Sequence, residues 1–337
     1  MKLLVLGGTA WLGREIAREA LRRGHDVSCL ARGESGELPK GARLVTADRA
    51  EPDAYARVAD HDWDAVVEIS WQPAFVRSAL EALGARARHW TLISSTSVYA
   101  SADVVGADES AELATAMGTE FAERADYAGA KAAAEHASRQ ARENAVLILR
   151  PGVIGGPGDE SGRSGAWVAR AARSPSEPML VPDEPSMPTQ VVDVRDLAAF
   201  VVSSAELGLL GAYNAVGPIV QLGEWISESR RIGGHNAELV PAASTWLREQ
   251  GVGEFMGEDS LALWLADPEF VGFSARSGVA AEAAGLRHRP RTELLTDVLA
   301  WERQAGLERP RRAGLSAARE RELRAHLAPG KEPASAS

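Results

Sequence analysis

An α/β fold built on a doubly wound parallel sheet is what this sequence predicts. Three observations carry the expectation. Short apolar runs alternate with helical patterns through the first half, a glycine-rich turn joins the first run to the first helix, and the alternation breaks into Gly/Pro-rich segments after Arg150. Continuously apolar strands separated by helices imply a parallel sheet covered on both faces, with right-handed crossovers. The chain has 337 residues and is 45% hydrophobic, enough for two domains or one large domain with an appendage.

The runs KLLVL (2–6), DVSCL (26–30), RLVTA (43–47), DAVVEI (64–69), WTLISS (90–95) and VLILR (146–150) read as strands. Between them, 11–24, 73–84 and a long stretch from about 118 to 144 read as helices. Residues 1–150 therefore form one nucleotide-binding domain. Residues 151–327 read as a substrate-side region interleaved with a strand that returns to the first domain at about 189–218, and 328–337 as a solvated tail. Segment 255–270 suits either a lid over a pocket or a packing helix, and the charged helix at about 315–327 a solvated face or a docking arm.

Composition excludes several classes. The net charge is −10 with no basic run, against a nucleic-acid binder. The single cysteine, Cys29, allows no internal disulfide and fits a reduced, cytoplasmic setting. MKLLVLGG is too short for a signal-peptide core, and no apolar run approaches the roughly eighteen residues of a membrane span. The histidines show no metal-ligand spacing, so no metal is expected.

The first strand runs into Gly7-Gly8-Thr9-Ala10-Trp11-Leu12-Gly13 and then a helix. Glycines there let the backbone approach a pyrophosphate, and the helix N-terminus presents N–H groups and a positive dipole end. A strand-to-helix turn of this kind, in this context, points to a dinucleotide. An NAD site places an acid at the tip of the second strand, but here the tip carries Arg32, and Arg14 follows the last glycine. Two guanidiniums near the adenosine ribose suit a 2′-phosphate, so NADP(H) is favoured, with NAD(H) still possible and Glu34 close enough to serve a ribose.

Four of the 37 basic residues are lysines, and Lys131 alone falls between 41 and 330. It stands four residues after Tyr127 on a helical pattern, so the two share a face. A solvated face would accept arginine, this chain's habit; a site needing a compact ammonium beside a phenol would not. The expectation is that Lys131 lowers the pKa of Tyr127 and steadies a cofactor, so that the phenol exchanges a proton with a substrate oxygen. Ser94-Ser95-Thr96-Ser97 closes a strand, where ligands sit in open α/β sheets, although Ser and Thr at a strand end also serve as caps.

These pieces together resemble the short-chain dehydrogenase/reductase superfamily, in its extended group of NAD(P)-dependent epimerases, dehydratases and reductases. The resemblance covers residues 1 to about 220 and rests on GGTAWLG (7–13), ADRAE (47–51), SSTSVYA (94–100), YAGAK (127–131), LRPGVIGGPG (149–158), VVDVRDLA (191–198) and YNAVGP (213–218), in the family's order. The opening, and AGL…RPRTELLTDVLAW at 284–301, also resemble a bacterial branch of epimerase-like reductases. The resemblance implies a Rossmann sheet with a smaller, mainly C-terminal substrate-binding region. It implies Tyr127 as proton donor or acceptor, Lys131 on the nicotinamide ribose, and Ser95 as the catalytic hydroxyl with Thr96 as its substitute. Asp48 falls where the family contacts adenine, Ile69, Ser70 and Trp71 where the fourth strand passes the cofactor, and Pro151 and Val153 beside the nicotinamide. A homodimer through helices 73–84 and 118–144 is a further implication.

Departures narrow the substrate. Ala10 replaces a family glycine and would be strained if it needed positive φ. Val153 and Thr189 stand where nucleotide-sugar members carry Asn and Arg, so an anion clamp is lost. Thr96-Ser97 replace the Asp-Glu of the dehydratases, removing the acid that would protonate a leaving hydroxyl. Trp71, at a strand end, is the best pocket candidate, with Trp167 and Trp264 behind it. The sequence thus points to an NADP(H)-dependent oxidoreductase acting on a small-molecule carbonyl or alcohol. An epimerase, and a non-catalytic nucleotide-sensing or RNA-binding relative, are the alternatives; the acidic charge and the intact Tyr/Lys/Ser set weigh against the last.

Overall fold

The structure is a computed structural model that describes residues 1–327; the tail read at 328–337 lies outside the described residues. In chain order the elements are β1 (Lys2–Leu6), α1 (Trp11–Arg22), β2 (Asp26–Ala31), β3 (Arg43–Thr46), β4 (Trp63–Glu68), α2 (Pro73–Leu83), β5 (Ala87–Ile93), α3 (Tyr127–Ala141), β6 (Leu147–Leu149), β7 (Val153–Gly155), α4 (Ala166–Arg173), β8 (Met179–Pro182), β9 (Pro188–Asp193), α5 (Val194–Leu207), β10 (Gly211–Tyr213), β11 (Ile219–Gln221), α6 (Leu222–Gly233), β12 (Leu239–Ala242), α7 (Ser244–Glu249), β13 (Gly253–Phe255), β14 (Ser260–Ala262), α8 (Val279–Ala283), α9 (Arg291–Ala305) and α10 (Ala317–Leu327). Among the described residues no helix is long and apolar enough to cross a membrane.

The chain divides into two compact units. The first comprises residues 1–154, 190–218 and 272–289. Its seven-stranded sheet runs in the order β10-β6-β5-β4-β1-β2-β3, every pair parallel. Strand side chains alternate between faces, and both faces are buried along β1, β2, β4, β5 and β6, while edge strand β3 is mostly exposed. Leu3 and Val5 join Ile16, Val201 and Phe200 in one cluster, while Leu4 and Leu6 join Val76, Leu80 and Trp90 in the other. That is why these strands read as continuously apolar rather than alternating. On α1 the buried stripe is Leu12, Gly13, Ile16, Ala17 and Ala20, the helical period that the sequence displays. The strand order reverses between β1 and β4, and in such sheets the ligand crevice lies at the carboxyl ends beside that reversal.

Two boundaries differ from the sequence expectation. The helix expected from about 118 begins at Tyr127. Residues 118–123 are a loop, followed by a 3-10 turn at 124–126, and the loop is held to the start of α2: the Gln72 side chain both donates to Ala122 O (3.0 Å) and accepts from Ala122 N (2.8 Å). Residues 272–289, expected on the substrate side, belong to the first unit. There the Arg276 N–H donates to Gln190 (3.1 Å), Gln190 donates back to Arg276 O (2.8 Å), and Ala281 and Leu286 enter the α1/α5 core.

The second unit comprises residues 155–189, 219–271 and 290–327 of the described chain. In it α4 packs on α6 and α9, and α10 lies against β8, which pairs in parallel with β12. Segment 255–270 is not a helix. It begins on the last residue of β13 and carries β14, which pairs in parallel with β13; positive φ at Phe255, Asp259 and Leu263 interrupts any helical run, and only 268–270 forms a single 3-10 turn.

Candidate active site

The site starts with the turn after β1. Gly7 has φ +97°, a conformation costly for any other residue. A Cβ on Gly13 would fall 2.5 Å from Gly7 O and 2.8 Å from Gly8 Cα, so only glycine lets α1 sit this close to the strand end. Ala10 sits at φ −69°, ψ 157°, so the condition under which it would be strained is not met; the positive φ belongs to Gly7. As N-cap residue Ala10 offers the first turn of α1 no side-chain oxygen, and the dipole at that end favours an anionic phosphate. Thr9 is buried, and Trp11 and Leu12 open the helix. Ile69, just past β4, packs over Gly7.

Arg14 reaches from this turn to the loop after β2, donating to Thr9 O (2.5 Å) and Ser35 O (2.6 Å). Arg32, at the tip of β2, is exposed and lies 3.4 Å from Glu34. Both arginines of the 2′-phosphate expectation therefore meet the same 32–36 loop. Asp48 is exposed, its carboxylate accepting the Ala50 N–H (3.0 Å).

Tyr127 and Lys131 occupy the first turns of α3. Lys131 is buried, and its Nζ donates to the carbonyls of Ser70 (3.1 Å) and Ile93 (2.6 Å), just beyond β4 and at the end of β5. An ammonium thus sits between adjacent strand ends, held by two backbone acceptors. Burial pulls its pKa down to about 8, against the opposing fields of Glu68 and Glu135. Nζ lies 5.9 Å from the centre of the Tyr127 ring, and the Trp71 ring packs 5.5 Å from that ring, tilted by 56°. Tyr127, Lys131, Ser70 and Trp71 are therefore one contact group.

Ser95 and Thr96 directly follow β5. Ser95 Oγ is half-buried, accepts the Ser97 N–H (3.1 Å) and lies 3.2 Å from Ser97 Oγ. Thr96 Oγ1 is buried with no hydrogen-bond partner, while its N–H donates to Pro151 O (2.9 Å) and so ties the end of β5 to the start of the 151–153 segment. Val153 is buried. Trp167 and Trp264 belong to the second unit, where their indoles are buried and donate to Ala262 O and Glu184 (2.8 Å each).

Two buried carboxylates around Lys131 were not singled out from the sequence. Glu68, the last residue of β4, takes a two-pronged guanidinium from Arg49 and the Ser70 N–H (2.8 Å), fixing the carbonyl that holds Lys131. Glu135, one turn beyond Lys131, takes both Nε (2.9 Å) and Nη2 (2.8 Å) of Arg150 and the Ser94 hydroxyl (2.6 Å). Arg150 continues to Tyr99, which donates to Asn214 (2.6 Å). The signal was present: an acid inside the apolar run DAVVEI must find a cation once buried, and Arg49 stands in ADRAE.

Comparisons with known proteins agree with this geometry. The model of the NAD dependent epimerase/dehydratase family matches residues 3–215, and the chain belongs to that family. A 2′-dehydrokanamycin reductase of Streptomyces kanamyceticus is 38% identical over 76 residues, 22% of this chain and 22% of that protein. The photosystem II assembly factor Ycf39 of Synechocystis is 37% identical over 73 residues, 21% of this chain and 22% of its own. The matched stretch is thus under a quarter of either curated relative. Among solved structures, the UDP-glucose 4-epimerase of Thermus thermophilus in complex with NAD aligns at TM-score 0.60 and 20% identity, over 91% of this chain and all of that one. An epimerase of Methanothermobacter thermautotrophicus aligns at 0.65 and 15%, over 90% and 92%. Likeness at these identities establishes the fold.

Proposed function

We propose that this member of the NAD dependent epimerase/dehydratase family is an NADP(H)-dependent oxidoreductase acting on a small-molecule carbonyl or its alcohol. The observation that carries the reading is Lys131, buried between the Ser70 and Ile93 carbonyls one helical turn after Tyr127. Burying an ammonium is costly, and a purely structural role would be met by an apolar residue at lower cost. The residues fit a dinucleotide: a glycine turn closed to any Cβ at Gly13, an anion-favouring helix start, and a lysine at the strand ends. When bound, the nicotinamide supplies or accepts hydride.

The protein's own groups do the rest. Lys131 spends two of its three N–H donors on carbonyls, leaving the third for a ribose hydroxyl. Its positive charge, 5.9 Å from the Tyr127 ring, favours the phenolate and so eases proton exchange between Tyr127 Oη and the substrate oxygen. Ser95 donates its hydroxyl hydrogen to that oxygen. Arg14 and Arg32 favour a 2′-phosphate over a bare ribose. Trp71 beside Tyr127 and the apolar Val153 suit a less polar substrate than a sugar nucleotide.

The test is NADPH consumption against a panel of aldehydes, ketones and quinones. The reading expects turnover with at least one, faster with NADPH than NADH, and its loss in Tyr127→Phe. Oxidised cofactor retained through purification, with no turnover of added NADPH, would move the assignment to an epimerase.

A further inference from the structure

The second unit contains a cavity of about 570 Å³, in the size range of small-molecule sites. All its lining residues belong to that unit, so it is built independently of Tyr127 and Lys131. Trp167, Leu180, Leu261 and Ala313 give it apolar walls. Arg173, at the end of α4, lines it as well, with a side chain only 7% exposed.

Arg173 is anomalous. Its Nε and Nη2 are both buried without a hydrogen-bond partner, and among the described residues no other side chain has two such atoms. The nearest carboxylate oxygens, on Glu320 and Glu308, stand 3.7 and 4.0 Å away, beyond hydrogen-bond distance. Glu320 is already engaged, accepting from Arg170 Nε and from the Leu180 N–H (3.0 Å). Arg311 is likewise committed to Glu302 (2.7 Å). Burial draws the Arg173 guanidinium below the usual arginine range, with Glu308 and Glu320 opposing the shift and Arg170 and Arg311 adding to it. A buried cation with unpaired donors in the wall of a cavity is a recurrent way to hold an anion.

We propose that this cavity binds a small monocarboxylate, its carboxylate on Arg173 Nε and Nη2 and its apolar body against Leu180, Leu261 and Ala313. One negative charge suits the site because Glu308 and Glu320 stand nearby and would repel a dianion.

The experiment is calorimetric titration of hexanoate, with hexanol and inorganic phosphate as controls at fixed ionic strength, into the full chain. The expected result is one saturable hexanoate site, weakened at least tenfold in Arg173→Met and unchanged in Tyr127→Phe. That last comparison keeps the inference separate from the catalytic reading. Because the guanidinium's donors are unsatisfied, Arg173→Met should melt at the wild-type temperature or higher. No hexanoate binding, equal binding of hexanol or phosphate, binding indifferent to Arg173→Met, or a melting temperature lowered by several degrees in that variant would each overturn it.

Discussion

Lys131 in the first unit and Arg173 in the second are both buried cations, and the two are treated differently. In the first, Lys131 has two carbonyls within hydrogen-bond distance, and the carbonyl of Ser70 is itself positioned by Glu68 and Arg49. In the second, Arg173 keeps two buried nitrogens without any such partner. Burial of a charge costs several kcal/mol unless it is paired and hydrogen-bonded. Lys131 shows how a fold meets part of that cost internally, at strand ends that a parallel sheet aligns. Arg173 shows a cost left open, which an incoming anion would offset.

The comparison can be broken or sharpened by substitution. The largest expected effect is on turnover. Tyr127→Phe should lower kcat/KM by about two to four orders of magnitude, the usual worth of a positioned acid or base. NADPH affinity should change little, read by a binding titration on the same variant. Next is Glu68→Gln. It removes the partner of buried Arg49 and should cost roughly 3–5 kcal/mol in denaturant unfolding. A loss under 1 kcal/mol would mean that the chain leading to Lys131 is not rigidly held. Smaller again is Arg32→Ala. It should weaken NADPH about tenfold in fluorescence titrations while leaving NADH unchanged, because the contact proposed for Arg32 is to the 2′-phosphate. Equal loss for both coenzymes would remove the NADP preference.

A separate effect is on pH dependence. Lys131 is drawn down to about 8 in the folded chain from an ordinary value of 10.5. Between those values the unfolded chain holds a proton that the folded chain has released, so this group makes stability rise with pH across the window. Below about 8 the burial penalty is felt in full. Lys131→Met should flatten that rise when unfolding free energies are measured from pH 7 to 10.5.

Much of this was legible in the residues. The six strands of the first half appear where their apolar runs stand; five of them are buried on both faces, which leaves a continuous signature, and edge strand β3 is mostly exposed. Tyr127 and Lys131 stood out because a chain that otherwise writes arginine kept a lysine at helical spacing from a phenol. What escaped depends on distant partners. The start of α3 is set by the Gln72 amide holding Ala122, a contact fifty residues apart. The return of 272–289 to the first unit rests on Gln190 meeting Arg276, eighty-six residues away. β14 and the turn before it sit in a segment whose apolar run suggests a helix, and Phe255, Asp259 and Leu263 take positive φ there without being glycines. Arg173 looked like any arginine closing a helix; only packing shows that its donors are stranded.

The account rests on Lys131 as a coenzyme-holding ammonium, and the most direct test needs no substrate. NADPH is titrated into the wild-type chain and into Lys131→Met, followed by nicotinamide fluorescence, with melting curves confirming that both are folded. The account predicts saturable one-to-one binding to the wild type and an affinity at least tenfold lower in the variant. Equal affinity in the two chains, or no saturable binding of NADPH or NADH to the wild type, would contradict it.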